Sequence, residues 1–332
     1  MTKKTRYFMA GSAAVVAAGL CTGLVAFYSG GFQALSASTG PTELAYIPAD
    51  APVVAYADVR TIMDSALRQR LKSVVPMPEK GQEEFMAQTG IDIEHDIDYL
   101  IGAMANSAAP DSPKSGLIVA RGRFDIVRLE GLARDHGGTV EDYNGKRMVT
   151  AVPEATSHHP AMTIAFLEPG LVAVGESAAV KHAIDAQMSA TSITSNNEMM
   201  ELVSDIERTN NAWAVGRLDV LTSHAQLPDQ IASQVGAVKW FAAAAHINGG
   251  LSGMVRAEAR DDQSAENLRD VVRGVLALGR LQAQSDPKLS AVAQSLELTG
   301  TGTTVSLSFT VPAELLDMAM SHAQAAPRPH VH

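Results

Sequence analysis

Residues 115–125 read SGLIVARGRFD, and residues 252–262 read SGMVRAEARDD. Aligned without a gap, they share Ser115/Ser252, Gly116/Gly253, Ala120/Ala257, Arg123/Arg260 and Asp125/Asp262. Each is an apolar run that turns polar and is followed by a helix-like segment. A chain that repeats such a junction after more than a hundred residues predicts a duplicated architectural unit.

The flanking pattern extends the repeat. In the first half, residues 52–59 read as a buried strand and residues 61–74 as a helix through Ile62, Met63, Leu67 and Leu71. Residues 99–105 and 116–120 read as two strands joined by the polar loop 106–115. The helix capped by Asp125 carries Ile126, Leu129, Leu132 and Ala133, and ends at Gly137 and Gly138. Asn144-Gly145 is a hairpin signal, because a type I′ turn needs positive φ at both centres. Pro169-Gly170 suits a type II turn. Helices are expected from Ser177 to about Met188 and over residues 198–207.

From Asn211 the order restarts. AWAVGRLDV resembles VVAYADV, with Asp219 matching Asp58. Residues 240–247 and 251–259 read as strands joined at Gly249-Gly250. A long helix follows over residues 264–284, with Leu268, Val272, Val275 and Leu276 as its stripe. A shorter helix over 288–296, a strand pair within 298–311 turning near Gly300 and Gly302, and a last helix over 313–320 complete the half. The expected class is α+β: two related units with mainly antiparallel sheets covered by helices, each compatible with a ferredoxin-like arrangement.

The N-terminus has a different character. Residues 8–28, FMAGSAAVVAAGLCTGLVAFY, carry no charge and would span roughly 30 Å as a helix. Lys3, Lys4 and Arg6 precede them, which puts the N-terminus in the cytoplasm and the body outside. A cleavable signal peptide is the competing reading: the stretch exceeds the usual apolar core of one, but a small-residue cleavage site stands at Ala34-Leu35-Ser36. The organisation is therefore a basic segment 1–7, a transmembrane anchor 8–28, a linker 29–41, a first unit 42–208, a second unit 209–320 and a tail 321–332. Gly19 and Gly23 form a GxxxG that allows two membrane helices to approach.

Composition narrows the function. Of 332 residues, 46% are hydrophobic, enough for a sizeable core. Residues 1–40 hold three cations and no acid, so the remaining 292 carry 23 Lys and Arg against 36 Asp and Glu, a net of −13. That charge disfavours nucleic acid and anionic lipid surfaces as partners. The single cysteine, Cys21, lies in the apolar segment, so a disulfide framework or thiol nucleophile in the body is excluded.

The phrases IPADAPVVAYADVRTIMDS, TGIDIEHDIDYL, AFLEPGLVAVG and NGGLSGMVRAEARD, with the strands quoted above, resemble a bacterial, Acidobacteria-type family of single-pass membrane-anchored proteins of unknown function. The resemblance spans most of residues 45–312, implies no activity and carries no site residues.

Candidate chemistry is sparse. Gly175-Glu176-Ser177 between a strand and a helix resembles part of a nucleophile elbow, against which stands Ser177 as a helix cap. Asp92, Glu94, Asp96 and Asp98 alternate with other residues; on a strand they would share one face and offer oxygens to Ca²⁺, or form a solvated edge. His158, His159, His330 and His332 form weak metal-ligand pairs, and His246 sits alone in an apolar strand. Gly249, Gly250 and Gly253 fit no phosphate-loop spacing. The reading is a non-enzymatic protein of the bacterial inner membrane, its body periplasmic, without cofactor or metal. It interacts with an envelope protein or with a second copy as a homodimer. The alternatives are a ligand groove between the repeats, lined by Met and Leu, and a serine hydrolase.

Overall fold

Strand β1 (Val53–Ala57) is buried on both faces, which explains its unbroken apolar run VVAYA. It lies antiparallel to β2 (Ile97–Met104) on one side and to β8 (Ala212–Arg217) on the other. The two segments likened in sequence are thus direct neighbours, with Tyr56 opposite Trp213 and their rings stacked at 5.5 Å. The structure is a computed structural model and describes residues 41–74, 79–104, 116–151, 161–218, 237–283, 287–311 and 313. Residues 8–28 with Gly19 and Gly23, residues 29–40 of the linker, the loop 106–115, His158, His159, Asp219, residues 314–320 and the tail 321–332 lie outside them. No helix among the described residues is long and apolar enough to cross a membrane.

The described residues fall into two compact units. The N-terminal unit runs to Gly216, not to 208, because β8 completes its sheet; residues 64–74 belong to the C-terminal unit. There the Leu67 N–H donates to the Asn248 carbonyl at 2.9 Å.

In the N-terminal unit the strand order is β8-β1-β2-β3-β7-β6-β5-β4, all pairs antiparallel. Here β3 is Gly116–Gly122, β4 Thr139–Tyr143, β5 Lys146–Thr150, β6 Met162–Glu168 and β7 Leu171–Glu176. The turn signals hold: Asn144 and Gly145 have φ of 51° and 74°, and Gly170 has φ of 73°. The Asp125 carboxylate accepts the Arg128 N–H at 3.0 Å, as a cap should.

In the C-terminal unit β9 (Val238–Ile247), β10 (Leu251–Ala259), β11 (Glu297–Thr299) and β12 (Thr304–Val311) take the order β11-β12-β10-β9, again antiparallel. A ferredoxin-like arrangement needs parallel neighbours among its four strands. The recorded pairs here are all antiparallel: β9–β10 and β11–β12 are hairpins, and β12 returns beside β10 in the opposite direction.

Helices pack on the sheets. In chain order they are α1 (Val59–Met63), α2 (Ala66–Val74), α3 (Glu79–Thr89), α4 (Ile93–Asp96), α5 (Ile126–Asp135), α6 (Ser177–Met188), α7 (Asn197–Ile206), α8 (Asp262–Ala283) and α9 (Pro287–Ser295). The single helix expected over 61–74 is broken. Ser65 Oγ accepts the Arg68 N–H at 3.1 Å and starts a new helix.

Candidate functional site

Helix α8 presents the feature that the fold does not consume. Asp261 accepts the Ser264 N–H at 2.7 Å, and that bond holds its carboxyl below the usual range. The helix then runs 22 residues to Ala283. It contains Val271, Val272, Gly274, Val275 and Gly279, all poor helix formers, so packing and not propensity sustains it. Its buried arc is Ala265, Arg269, Leu276 and Ala283. Ala265 joins Ala259 and Val305 in a small core, with Leu268 and Leu298 packed against it.

Arg269 is 9% exposed and braces the strand turn. Its guanidinium donates to the carbonyls of Gly302 and Thr304 and pairs with Glu266 at 2.8 Å. Its Nε is buried without a partner.

At 100° per residue, the opposite arc of α8 carries Val271, Val275, Leu278 and Leu281. They are 46, 49, 59 and 64% exposed. Ser264, Asn267, Gly274 and Gln282 share that arc, and Asp270 borders it. The cations lie elsewhere: Arg273 pairs with Glu266 and Asp270, both at 2.8 Å, on the side nearer the sheet. An uncharged apolar stripe over three turns thus points outward.

Between α8, α9 and the β11–β12 pair lies a groove of about 800 Å³. Arg269, Arg273 and Arg280 line it with Leu276, Leu296 and Leu298. Arg280 donates to Ala293 O at 3.4 Å and to Leu296 O at 3.1 Å, satisfying carbonyls at the end of α9. No carboxylate among the described residues pairs with it. Its first explanation is a cap on α9.

The sequence-predicted sites dissolve into structural roles. Ser177 is the first residue of α6, and the N-cap is Glu176, which makes no side-chain cap bond. That corrects the expected Ser177 cap. The strand before it, β7, is antiparallel to both β3 and β6, whereas a nucleophile elbow follows a parallel strand. The hydrolase reading loses its context.

The acidic run is no strand face. Asp92 caps α4 by accepting the Glu94 N–H at 2.9 Å, and it holds His95 Nδ1 at 2.7 Å. Asp96 pairs with Arg123 and Asp98 with Arg60. Among the described residues no group of three His, Cys, Asp or Glu is placed to hold a metal. His246 stands opposite Ser252, its Nδ1 buried and unpartnered. Gly249 and Gly250 turn the β9–β10 hairpin, where Asn248 Oδ1 accepts the Gly250 N–H at 3.1 Å.

The N-terminal unit contains a polar network that sequence reading missed. Glu43, 3% exposed in the short helical turn Thr42–Tyr46, is gripped by Arg121 of β3. Burial pushes the Glu43 carboxyl up, but hydrogen bonds from Tyr99 and Arg121 outweigh it and hold it below its ordinary value. Tyr46 donates to Glu168 at 2.9 Å; burial and that carboxylate raise its pKa to about 12. The network fastens the turn Thr42–Tyr46 to the sheet. Its residues are far apart in sequence, so no spacing announced it.

No family model matches the chain, and no curated protein matches it. A solved structure, "Structure of crystal form I of TP0453", is similar to it at 13% identity, over 87% of this chain and 99% of that chain, with a TM-score of 0.43.

Proposed function

We propose that the chain is a membrane-anchored, extracytoplasmic, non-enzymatic protein of the bacterial envelope that docks a protein partner through the outward arc of α8. The observation that carries this reading is the stripe Val271, Val275, Leu278 and Leu281, about half exposed on a long helix whose other face is already packed. The 21 uncharged residues 8–28 behind three cations support the anchor. The acidic body argues against nucleic acid. The strand orders β2-β3-β7-β6 and β9-β10-β12-β11 follow one rule, an antiparallel pair, a helix, then a later pair whose last strand joins the first; the N-terminal unit adds β4 and β5 after its helix. That supports a duplicated scaffold with binding surfaces on its helices.

The test uses the full-length chain in its own membranes. A photo-crosslinking residue at Leu278 should give a discrete protein adduct that Leu281→Asp abolishes. The same probe at Val127, 82% exposed on α5, should give none. Equal adducts from both positions would contradict the reading. Alkaline carbonate extraction tests the anchor separately: release of the chain into the soluble fraction overturns it.

Ligand binding is a second reading. The groove beside α9 favours it, since Arg280 lines that groove with no carboxylate partner among the described residues.

A further inference from the structure

We infer that the outward arc of α8 pairs with the same arc of a second copy, antiparallel, about a two-fold axis at the level of residues 276–277. The inference rests on the docking reading above and names its partner. The stripe is nearly palindromic. In an antiparallel pair, Val271 faces Leu281 of the other copy, and Val275 faces its Leu278. Large side chains thus meet large ones along the whole contact. Gly274, within the same arc, has nothing within 4 Å of where a Cβ would stand, so a partner helix can approach closely there.

The helix dipoles select the direction. Antiparallel pairing sets the N-terminal end of each α8 against the C-terminal end of the other, whereas parallel pairing sets like ends side by side. Asp270, at the edge of the stripe, is held by Arg273 at 2.8 Å and adds no free charge to the contact.

Charge also argues for protein over lipid. Helices that lie in a bilayer surface flank their apolar face with Lys and Arg. Here Arg269, Arg273 and Arg280 sit on the side nearer the sheet, and an acid borders the stripe. The contact is small, on the order of a few hundred Å² per copy, at the low end of specific interfaces. Tethering by residues 8–28 confines the copies to one membrane and raises their effective concentration, which lets a small contact suffice.

Position-dependent disulfide trapping tests this. Cys21→Ser leaves the full chain without cysteine. Single cysteines are then placed at 271, 275, 278 or 281, all exposed positions, with thermal melts confirming an unchanged fold. In oxidised native membranes, Val275→Cys and Leu278→Cys should each form disulfide dimers, their partners about 5 Å apart along the axis. Val271→Cys and Leu281→Cys alone, with about 15 Å between partners, should form at least tenfold fewer. The last two co-expressed should cross-link to each other. Equal self-linking at all four positions would indicate parallel or random pairing and overturn the inference. So would the absence of dimers at 275 and 278. If the Leu278 photo-adduct then proves to be a different protein, the docking reading stands and the second copy falls. If there is no protein adduct at all, both fall.

Discussion

Helices α6 and α8 each follow the end of a strand and each are amphipathic, yet they spend their apolar residues in opposite ways. Helix α6 buries Val180 and Ile184 with Ala179, Ala183 and Ala186. It turns its polar side to the β4–β5 hairpin, where Asp185 accepts from Tyr143 and Asn144, both at 2.9 Å. Helix α8 buries two alanines, Leu276 and an arginine, and leaves four Val and Leu side chains outside. The first helix is complete within its own fold. The second is sustained by a thin contact and shows its larger apolar arc to whatever covers it. Amphipathicity identifies a helix; which arc faces inward is decided by what the neighbouring strands offer.

The largest expected difference is in stability. Ile184→Ala should cost about 3 kcal/mol, as a fully buried side chain lost from a packed site. Leu278→Ala should cost about 0.5 kcal/mol or less. Urea unfolding of the two variants measures both. A large loss at Leu278 would mean that the stripe serves the fold.

Next comes the contrast between ion pairs. Arg121→Met leaves the buried Glu43 carboxylate without its cation, with only the Tyr99 hydroxyl beside it, and should cost about 3 kcal/mol. Arg273→Ala removes two solvated pairs and should leave the unfolding midpoint unchanged. The pH dependence sharpens this. Because the Glu43 carboxyl lies below its unfolded value of 4.5, its stabilisation is present above that pH and is lost as pH falls through the folded value. Tyr46 behaves oppositely. Its stabilisation is full below pH 10.0 and disappears as pH rises toward about 12. Arg121→Met should flatten the acid limb of the stability curve. An unaltered limb would remove Glu43 as its cause.

The smallest effect is the most discriminating. Gly274→Ala should stabilise the chain by about 0.5–1 kcal/mol, since Ala is the better helix former and nothing obstructs its Cβ. It should also weaken disulfide trapping at Leu278. A gain in stability with unchanged trapping would mean that the paired helices do not approach at that glycine.

The turns and most strands were legible because their signals are local. Asn144-Gly145, Pro169-Gly170, the Asp125 cap and the β9–β10 hairpin each need a residue type at one position. What misled was pattern shared by two structures. The alternation from Asp92 to Asp98 imitates a strand, but Asp92 folds back as a cap and makes one helical turn. The apolar period from Ile62 to Leu71 crosses the break at Ser65 without a change of phase. In α8 the expected stripe, Leu268, Val272, Val275 and Leu276, straddles two arcs. Leu276 is buried and Val275 half exposed, because the helix is apolar on both sides. The spacing of Val271, Val275, Leu278 and Leu281 was there to be read; nothing in the sequence said that it faced outward. The Glu43–Arg121 pair joins residues 78 apart and needed the sheet to bring it together.

The account turns on whether the α8 stripe is covered where the protein resides. The direct measurement is the rate of maleimide labelling of Leu278→Cys in the Cys21→Ser full-length chain, compared between native membranes and dilute, detergent-purified protein. The account predicts strong protection in the membranes, at least tenfold, that is lost on dilution, with Val127→Cys labelled equally fast in both. Equal labelling of Leu278→Cys in the two states would show the stripe open to solvent in place, and the docking surface would have to be abandoned.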